Sequence, residues 1–279
     1  MRRRLARILR TLREGADLTI EQVAEKVELS PSTISRMENA RVGVRPNDLR
    51  QLLEIYKVSD TQRDELLQLA RKGRQQAWWQ EFKDVVPTAA VASREDDAAS
   101  ILQYAAQVVP GLLQTEAYAR EVLSKIHYQA SSEKLARRLE ARLARQALLT
   151  GKNAPQYWVV LDEAVLRRAI GGRQVMHTQL QRLIDAAELP NVTLQVLPFS
   201  AGAHAGLDGE FTILSYRDPE DLDLVFIENT GKDEYLEDIA VTRRYHSIFD
   251  RLRAAAQDPD DSVRTLADVE HKLWESEGS

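Results

Sequence analysis

The most constraining feature of the sequence is the stretch from Leu18 to Asn39, which spells two short amphipathic helices meeting at a tight corner. Thr19 is suited to N-capping the first, and Ile20, Val23, Ala24 and Val27 fall on one apolar stripe at spacings of three and four. After Glu28 and Leu29, Ser30 offers a hydroxyl to the free amides of a second helix. Pro31 then sits at the first helical position, where a missing amide hydrogen costs nothing. At about 100° per residue, Ile34 and Met37 point to one side of that helix and Ser32, Ser35, Arg36 and Asn39 to the other. Short hydroxyls, an amide and an arginine are the side chains that contact base edges and phosphates when a helix lies in a major groove. An ordinary two-helix corner with a polar face carries the same pattern, so the flanking sequence has to decide.

Charge supplies one discriminator. Residues 1–74 hold 16 Lys and Arg against 11 Asp and Glu, a net of +5, whereas residues 75–279 hold 22 against 32, a net of -10. Phosphate attraction is therefore expected from the first segment alone, because the acidic remainder is repelled by a duplex. Six arginines fall in the first 13 residues with no acid among them. The spacing predicts a helix over 2–14, with Leu5, Ile8, Leu9 and Leu12 on a buried stripe and Arg4, Arg7, Arg10 and Arg13 on another face as a basic ridge directed at phosphate. Beyond the corner, Arg41, Gly43 and Arg45 form a short loop of the kind that touches a nucleic-acid backbone. Asn47 or Pro46 opens a fourth helix over 49–56, and Ser59-Asp60 opens a fifth running to Arg74.

About the first 70 residues resemble the helix-turn-helix domain of the XRE, or lambda-repressor-like, family: Ala24 stands at the tight-packing position, Ile34-Ser35 lies in the second helix and Glu38-Asn39 closes it. The resemblance implies that Ser32, Thr33 and Arg36 face bases with Ser35 beside them. It implies that Thr19, Ile20 and Asn39 meet phosphate and that Glu38 pairs with Arg13 beneath the corner; Arg4, Arg7, Arg10, Arg41 and Arg45, read from the basic ridge and loop, complete the expected phosphate set. One departure stands out: Glu28 occupies the place of the usual turn glycine, where a left-handed backbone is costly for glutamate.

With 279 residues the chain accommodates about two domains. Residues 75–92, with Trp78, Trp79 and Phe82 before a Val85-Val86-Pro87 break, read as a connector. Residues 93–279 read as an α+β domain with a small mixed sheet of about four strands, following the mainly α five-helix unit. Helices are expected over 93–106, 115–126, 132–149, 163–170, 175–187, 235–255 and 262–274, and strands over 157–161, 192–197, 211–216 and 222–227. The row Arg137, Arg138, Arg142 and Arg145 is interleaved with Glu133 and Glu140 and reads as a solvated face.

Catalytic and metal chemistry find little support. There is no cysteine, and His127, His177, His204, His246 and His271 lack metal-ligand spacing, so neither a metal nor a cofactor is expected. No G-x-S-x-G, P-loop or dinucleotide fingerprint occurs, and the chain is not expected to be an enzyme. His204, in the small-residue loop 200–209, marks the one place where a ligand or hydrolytic site could hide, walled by Trp158, Phe211 and Phe226; a plain connection between strands is the alternative. No apolar run approaches a membrane span, and the arginine-rich start lacks the apolar segment of a secretory signal, so a cytoplasmic location is expected.

A second resemblance covers about residues 78–260. Pro110-Gly111-Leu112-Leu113-Gln114-Thr115 followed by Tyr118-Ala119, the Arg145-Gln146 pair, Leu197-Pro198-Phe199 with Gly202-Ala203-His204-Ala205-Gly206, Phe211, and the Val225-Phe226-Ile227-Glu228 strand look like the C-terminal domain of WhiJ-like regulators. That likeness implies transcriptional control and a small partner protein, as in an antitoxin-like pair. The combined expectation is a homodimeric DNA-binding regulator acting on a double-stranded operator and modulated through its C-terminal domain; a small-molecule sensor is the alternative.

Overall fold

A computed structural model describes residues 2–39, 42–72, 81–82, 84–85, 94–217, 221–229 and 233–275, and the chain divides into two compact units, Met1–Ala77 and Trp78–Ser279.

The first unit contains α1 (Arg2–Gly15), α2 (Ile20–Lys26), α3 (Pro31–Glu38), α4 (Pro46–Ile55) and α5 (Asp60–Lys72). Their apolar stripes converge on one core in which Leu5, Leu9, Val23, Ala24, Ile34, Met37, Leu49, Leu52, Leu53 and Leu66 are buried. Helix starts follow local chemistry. Thr19 closes a capping box, accepting from the Gln22 amide at 3.2 Å while its own amide donates to Gln22 Oε1 at 2.9 Å. Ser30 accepts from the Thr33 amide at 3.2 Å. Helix ends are less orthodox. Asp17 (φ 54°), Glu28 (φ 54°) and Lys57 (φ 52°) are left-handed without being glycine. Each is followed by an amide that closes the preceding helix: Leu18 to the Arg13 carbonyl at 3.1 Å, Leu29 to Ala24 at 2.9 Å and Val58 to Leu53 at 3.1 Å. These are the long-range bonds of Schellman caps. Glu28 thus adopts the backbone that its side chain disfavours, and the corner keeps the geometry a glycine would supply.

The second unit is built on one six-stranded sheet in the order β3-β2-β1-β4-β5-β6, from β1 (Ala98–Ala105), β2 (Gln156–Asp162), β3 (Val192–Leu197), β4 (Phe211–Tyr216), β5 (Leu224–Ile227) and β6 (Glu234–Leu236). Strands β1, β2 and β3 are parallel; β4, β5 and β6 continue antiparallel. Helices α6 (Glu116–Ile126), α7 (Ser132–Arg145), α8 (Glu163–Arg167), α9 (Arg173–Ala187), α10 (Ile239–Ala255) and α11 (Pro259–Glu275) surround it. One sheet face, with Ile101, Ala105, Tyr157, Val159, Leu161, Leu194 and Leu214, shares a core with Tyr118, Val122, Met176, Leu180, Leu183, Leu266 and Val269. The other, with Tyr104, Val160, Leu197, Phe211, Ile213 and Val225, packs on Phe249 and Leu252 of α10.

The mixed α+β architecture is as expected, with three corrections. Residues 98–105 form the central strand rather than a helix: Ala98, Ile101 and Ala105 recur at spacings of three and four that suit a helix, yet Ile101 and Tyr104 bury on opposite sides of the sheet. Residues 234–236 are an edge strand, and the following helix opens only at Ile239, where Asp238 caps the amides of Ala240 and Val241. The sheet therefore has six strands, not about four. At its opposite edge, both the amide and the carbonyl of Val196 are occupied, by Ser262 Oγ and the Gln257 amide, each at 2.9 Å.

Candidate nucleic-acid interface

Helix α3 turns Ile34, Met37 and Glu38 into the core and leaves Ser32 and Arg36 exposed, with Thr33 and Ser35 half-buried. The hydroxyls at its start are pre-arranged: Ser30 Oγ lies 3.0 Å from Ser32 Oγ and 2.8 Å from Thr33 Oγ1. At its end the exposed Asn39 donates through Nδ2 to the Ser35 carbonyl at 2.7 Å, which fixes the amide one turn below Arg36. Thr19 is exposed and Ile20 half-buried at the start of α2, so the residues singled out around the corner sit at or near one polar surface of two adjacent helices.

Beneath that surface lies an ion pair. Arg13 Nε donates to Glu38 Oε1 at 2.8 Å and Nη2 to Glu38 Oε2 at 3.0 Å, while Nη1 donates to the Leu18 carbonyl at 2.9 Å. Both side chains are buried, and the hydrogen bonds to Glu38, opposed by burial, hold the Arg13 guanidinium above its ordinary value. Arg13 is therefore a structural tie and not part of an open ridge.

The remaining basic positions differ in their surroundings. Arg7 is half-buried on α1. Arg10 is exposed and bonded to Glu14 at 2.9 Å, so it reaches a phosphate only by exchanging that partner; exposed pairs of this kind are worth about 0–1 kcal/mol. Arg45 is the exposed N-terminal flank of α4. Arg4 falls in α1 with its side chain outside the described residues, and Arg41 lies outside them altogether, as do Trp78 and Trp79 of the connector.

In the second unit, the structure separates the four residues expected to share a site. His204 is held over the carboxyl ends of the parallel strands: its Nε2 is 3.8 Å from Asp162 Oδ2, its Nδ1 accepts from the Gly206 amide at 3.2 Å, and its ring meets Tyr104 edge-on at 5.9 Å. Phe211 stacks against Tyr104 on that face at 6.2 Å. Trp158 is on the same face but bound elsewhere, donating to Gln195 at 2.8 Å and packing on Phe249. Phe226, paired in register with Thr212 and 5.3 Å from Tyr235, belongs to the opposite face, so no common wall exists.

The arginine row of α7 is a further correction. Arg137 lies over Phe82 at 4.5 Å and pairs with Glu140 at 3.3 Å, but Arg138, Arg142 and Arg145 turn toward the interior. Arg145 forks onto the buried Glu95 at 2.7 and 2.5 Å, and Arg142 donates to Gln114 at 2.9 Å. Their i, i+4, i+7 spacing was the available signal, since one face of a helix carries all three. Glu133 and Glu140, interleaved with them in sequence, are left exposed.

The fold and this polar, outward-turned α3 define a helix-turn-helix DNA-binding regulator carrying an additional α+β domain. Residues 4–66 match the family described as a helix-turn-helix domain, and residues 88–268 match a family described as a domain of unknown function (DUF5753). The chain belongs to the latter family. No curated protein and no solved structure matches it. Among the described residues, no helix is long and apolar enough to cross a membrane, and no group of three or more His, Asp or Glu could hold a metal ion.

Proposed function

We propose that the protein is a sequence-specific transcriptional regulator that binds as a homodimer and is modulated through its C-terminal domain by a small partner protein, with no catalytic role. The observation carrying the DNA part is the division of α3, whose Ile34 and Met37 are buried in the core while Ser32 and Arg36 face outward beside the exposed Asn39. In the dimer, two copies of α3 enter successive major grooves about 34 Å apart on a two-fold site. Ser32, Thr33, Ser35 and Arg36 read bases; Thr19, Ile20, Asn39, Arg4, Arg7 and Arg10 of α1, and Arg41 and Arg45 before α4 hold phosphates. The antitoxin-like partner follows from the likeness of the second unit to WhiJ-like regulators.

Gel-shift titration against genomic fragments tests this. Arg36→Ala should weaken specific binding by about 1–3 kcal/mol and relax base preference, and Arg7→Ala should weaken binding to every sequence and flatten its salt dependence. Unchanged affinity in both would refute the assigned face.

A small-molecule sensor is the second reading. It is favoured by the placement of His204, Asp162 and Tyr104 at the carboxyl ends of parallel strands, where α/β sheets bind ligands.

A further inference from the structure

The segment from residue 75 onward is acidic overall, yet α7 presses three arginines into it. One is compensated: the fork of Arg145 occupies both oxygens of Glu95. The other two are not. Arg142 meets the side-chain oxygen of Gln114, a neutral acceptor held in place because Gln114 Nε2 donates to the Val109 carbonyl at 2.7 Å and Gln146 Nε2 donates to the Gln114 carbonyl at 2.7 Å. Arg138 Nε is buried and has no hydrogen-bond partner among the described residues. Neither has a carboxylate in contact among them. A guanidinium withdrawn from water with only a neutral partner is unfavourable, and two on adjacent turns repel each other.

The surrounding groups feel this excess. Arg142 is pushed down to about 10, first by burial and then by Arg145 and Arg138, with Glu228 opposing at a distance. His127, the residue closing α6, is held below its ordinary value by burial, Arg138 and Arg142. The stripe is nevertheless not sealed. Arg138 and Arg142 are half-buried rather than buried and Arg145 remains 32% exposed, so solvent reaches the arginine stripe. A planar fork in such a place is matched by a carboxylate or a phosphate, which it binds through two parallel hydrogen bonds.

We propose that Arg138 and Arg142 of α7, beside Gln114 and His127, bind a small oxyanion, the carboxylate or phosphate group of an effector. The bound anion supplies the counter-charge that Glu95 supplies to Arg145. This site is on a different part of the unit from the His204 loop and does not depend on DNA binding.

The test is calorimetric titration of the full chain with inorganic phosphate and, separately, citrate, at constant ionic strength against chloride. The expected result is saturable one-site binding of at least one probe, weakened about thirtyfold or more by Arg142→Met and by Arg138→Gln. Binding of phosphate alone or of citrate alone supports the site and identifies the head group. A second readout is the His127 ring: saturating probe should raise its titration midpoint by NMR, which a merely architectural stripe would not do. Should Arg142→Met fail to fold, Arg138→Gln and the His127 shift decide. Absence of saturable binding by both probes, or binding equal in wild type and substituted chains as for an adventitious ion only, overturns the proposal.

Discussion

Arg13 and Glu38, 25 positions apart, meet through two parallel hydrogen bonds of 2.8 and 3.0 Å that fasten α1 to the C-terminal end of α3. Because both are buried, breaking the pair strands a charge away from water. Arg13→Met or Glu38→Leu alone should destabilise the N-terminal unit by about 3–5 kcal/mol in denaturant unfolding, and the double substitution should recover much of that loss. Additive losses would show that the two side chains act independently.

Glu28 pays for the corner with a left-handed backbone at φ 54°. Glu28→Gly should remove that strain and stabilise the unit by about 1 kcal/mol, raising the thermal midpoint with DNA binding intact. Glu28→Val, with a branched Cβ, should do the reverse. A destabilised glycine variant would mean that the Glu28 side chain contributes more than its backbone costs.

His127 titrates below 6.5 in the folded protein because burial, Arg138 and Arg142 disfavour its cation. The unfolded chain takes up that proton first as pH falls, so the histidine's contribution is full above about 6.5 and is lost on acidification below it. His127→Gln should make the C-terminal unit less acid-sensitive over this window. Arg142→Met should raise the His127 midpoint, as read by NMR.

Glu210 presents the opposite sign. Burial, opposed by hydrogen bonds from the Ala106 and Gln107 amides at 2.8 and 2.5 Å, raises its carboxyl above the ordinary 4.5. The folded state then holds the proton more tightly, and stability contributed at low pH is lost as pH rises through the range just above 4.5. Glu210→Gln keeps an acceptor for the two amides and should flatten that slope in pH-resolved unfolding.

Much of the first unit was legible because its signals are local. Thr19, Ser30 and Pro31 mark helix starts through bonds that span three residues, and the inward set of Ile34 and Met37 follows from periodicity alone. The second unit depends on partners distant in sequence. Ala98–Ala105 spaces its apolar residues in a way that suits either a helix or a strand, and only pairing with β2 and β4 decides it. Phe226 falls on the opposite face from Phe211 because of register, which the composition of a four-residue strand does not reveal. The inward turn of Arg142 depends on Gln114, 28 positions away. Asp17 and Lys57, polar residues in left-handed conformations, gave no glycine to flag the caps that they form.

Val196 has both backbone groups occupied by the corner between α10 and α11, through Gln257 and Ser262. An incoming chain therefore cannot extend a ladder through Val196, which shortens the stretch of β3 open to pairing with another copy. The chain's own C-terminal helices thus act as a selvedge at the point where the strand would otherwise offer both its donor and its acceptor to a neighbour.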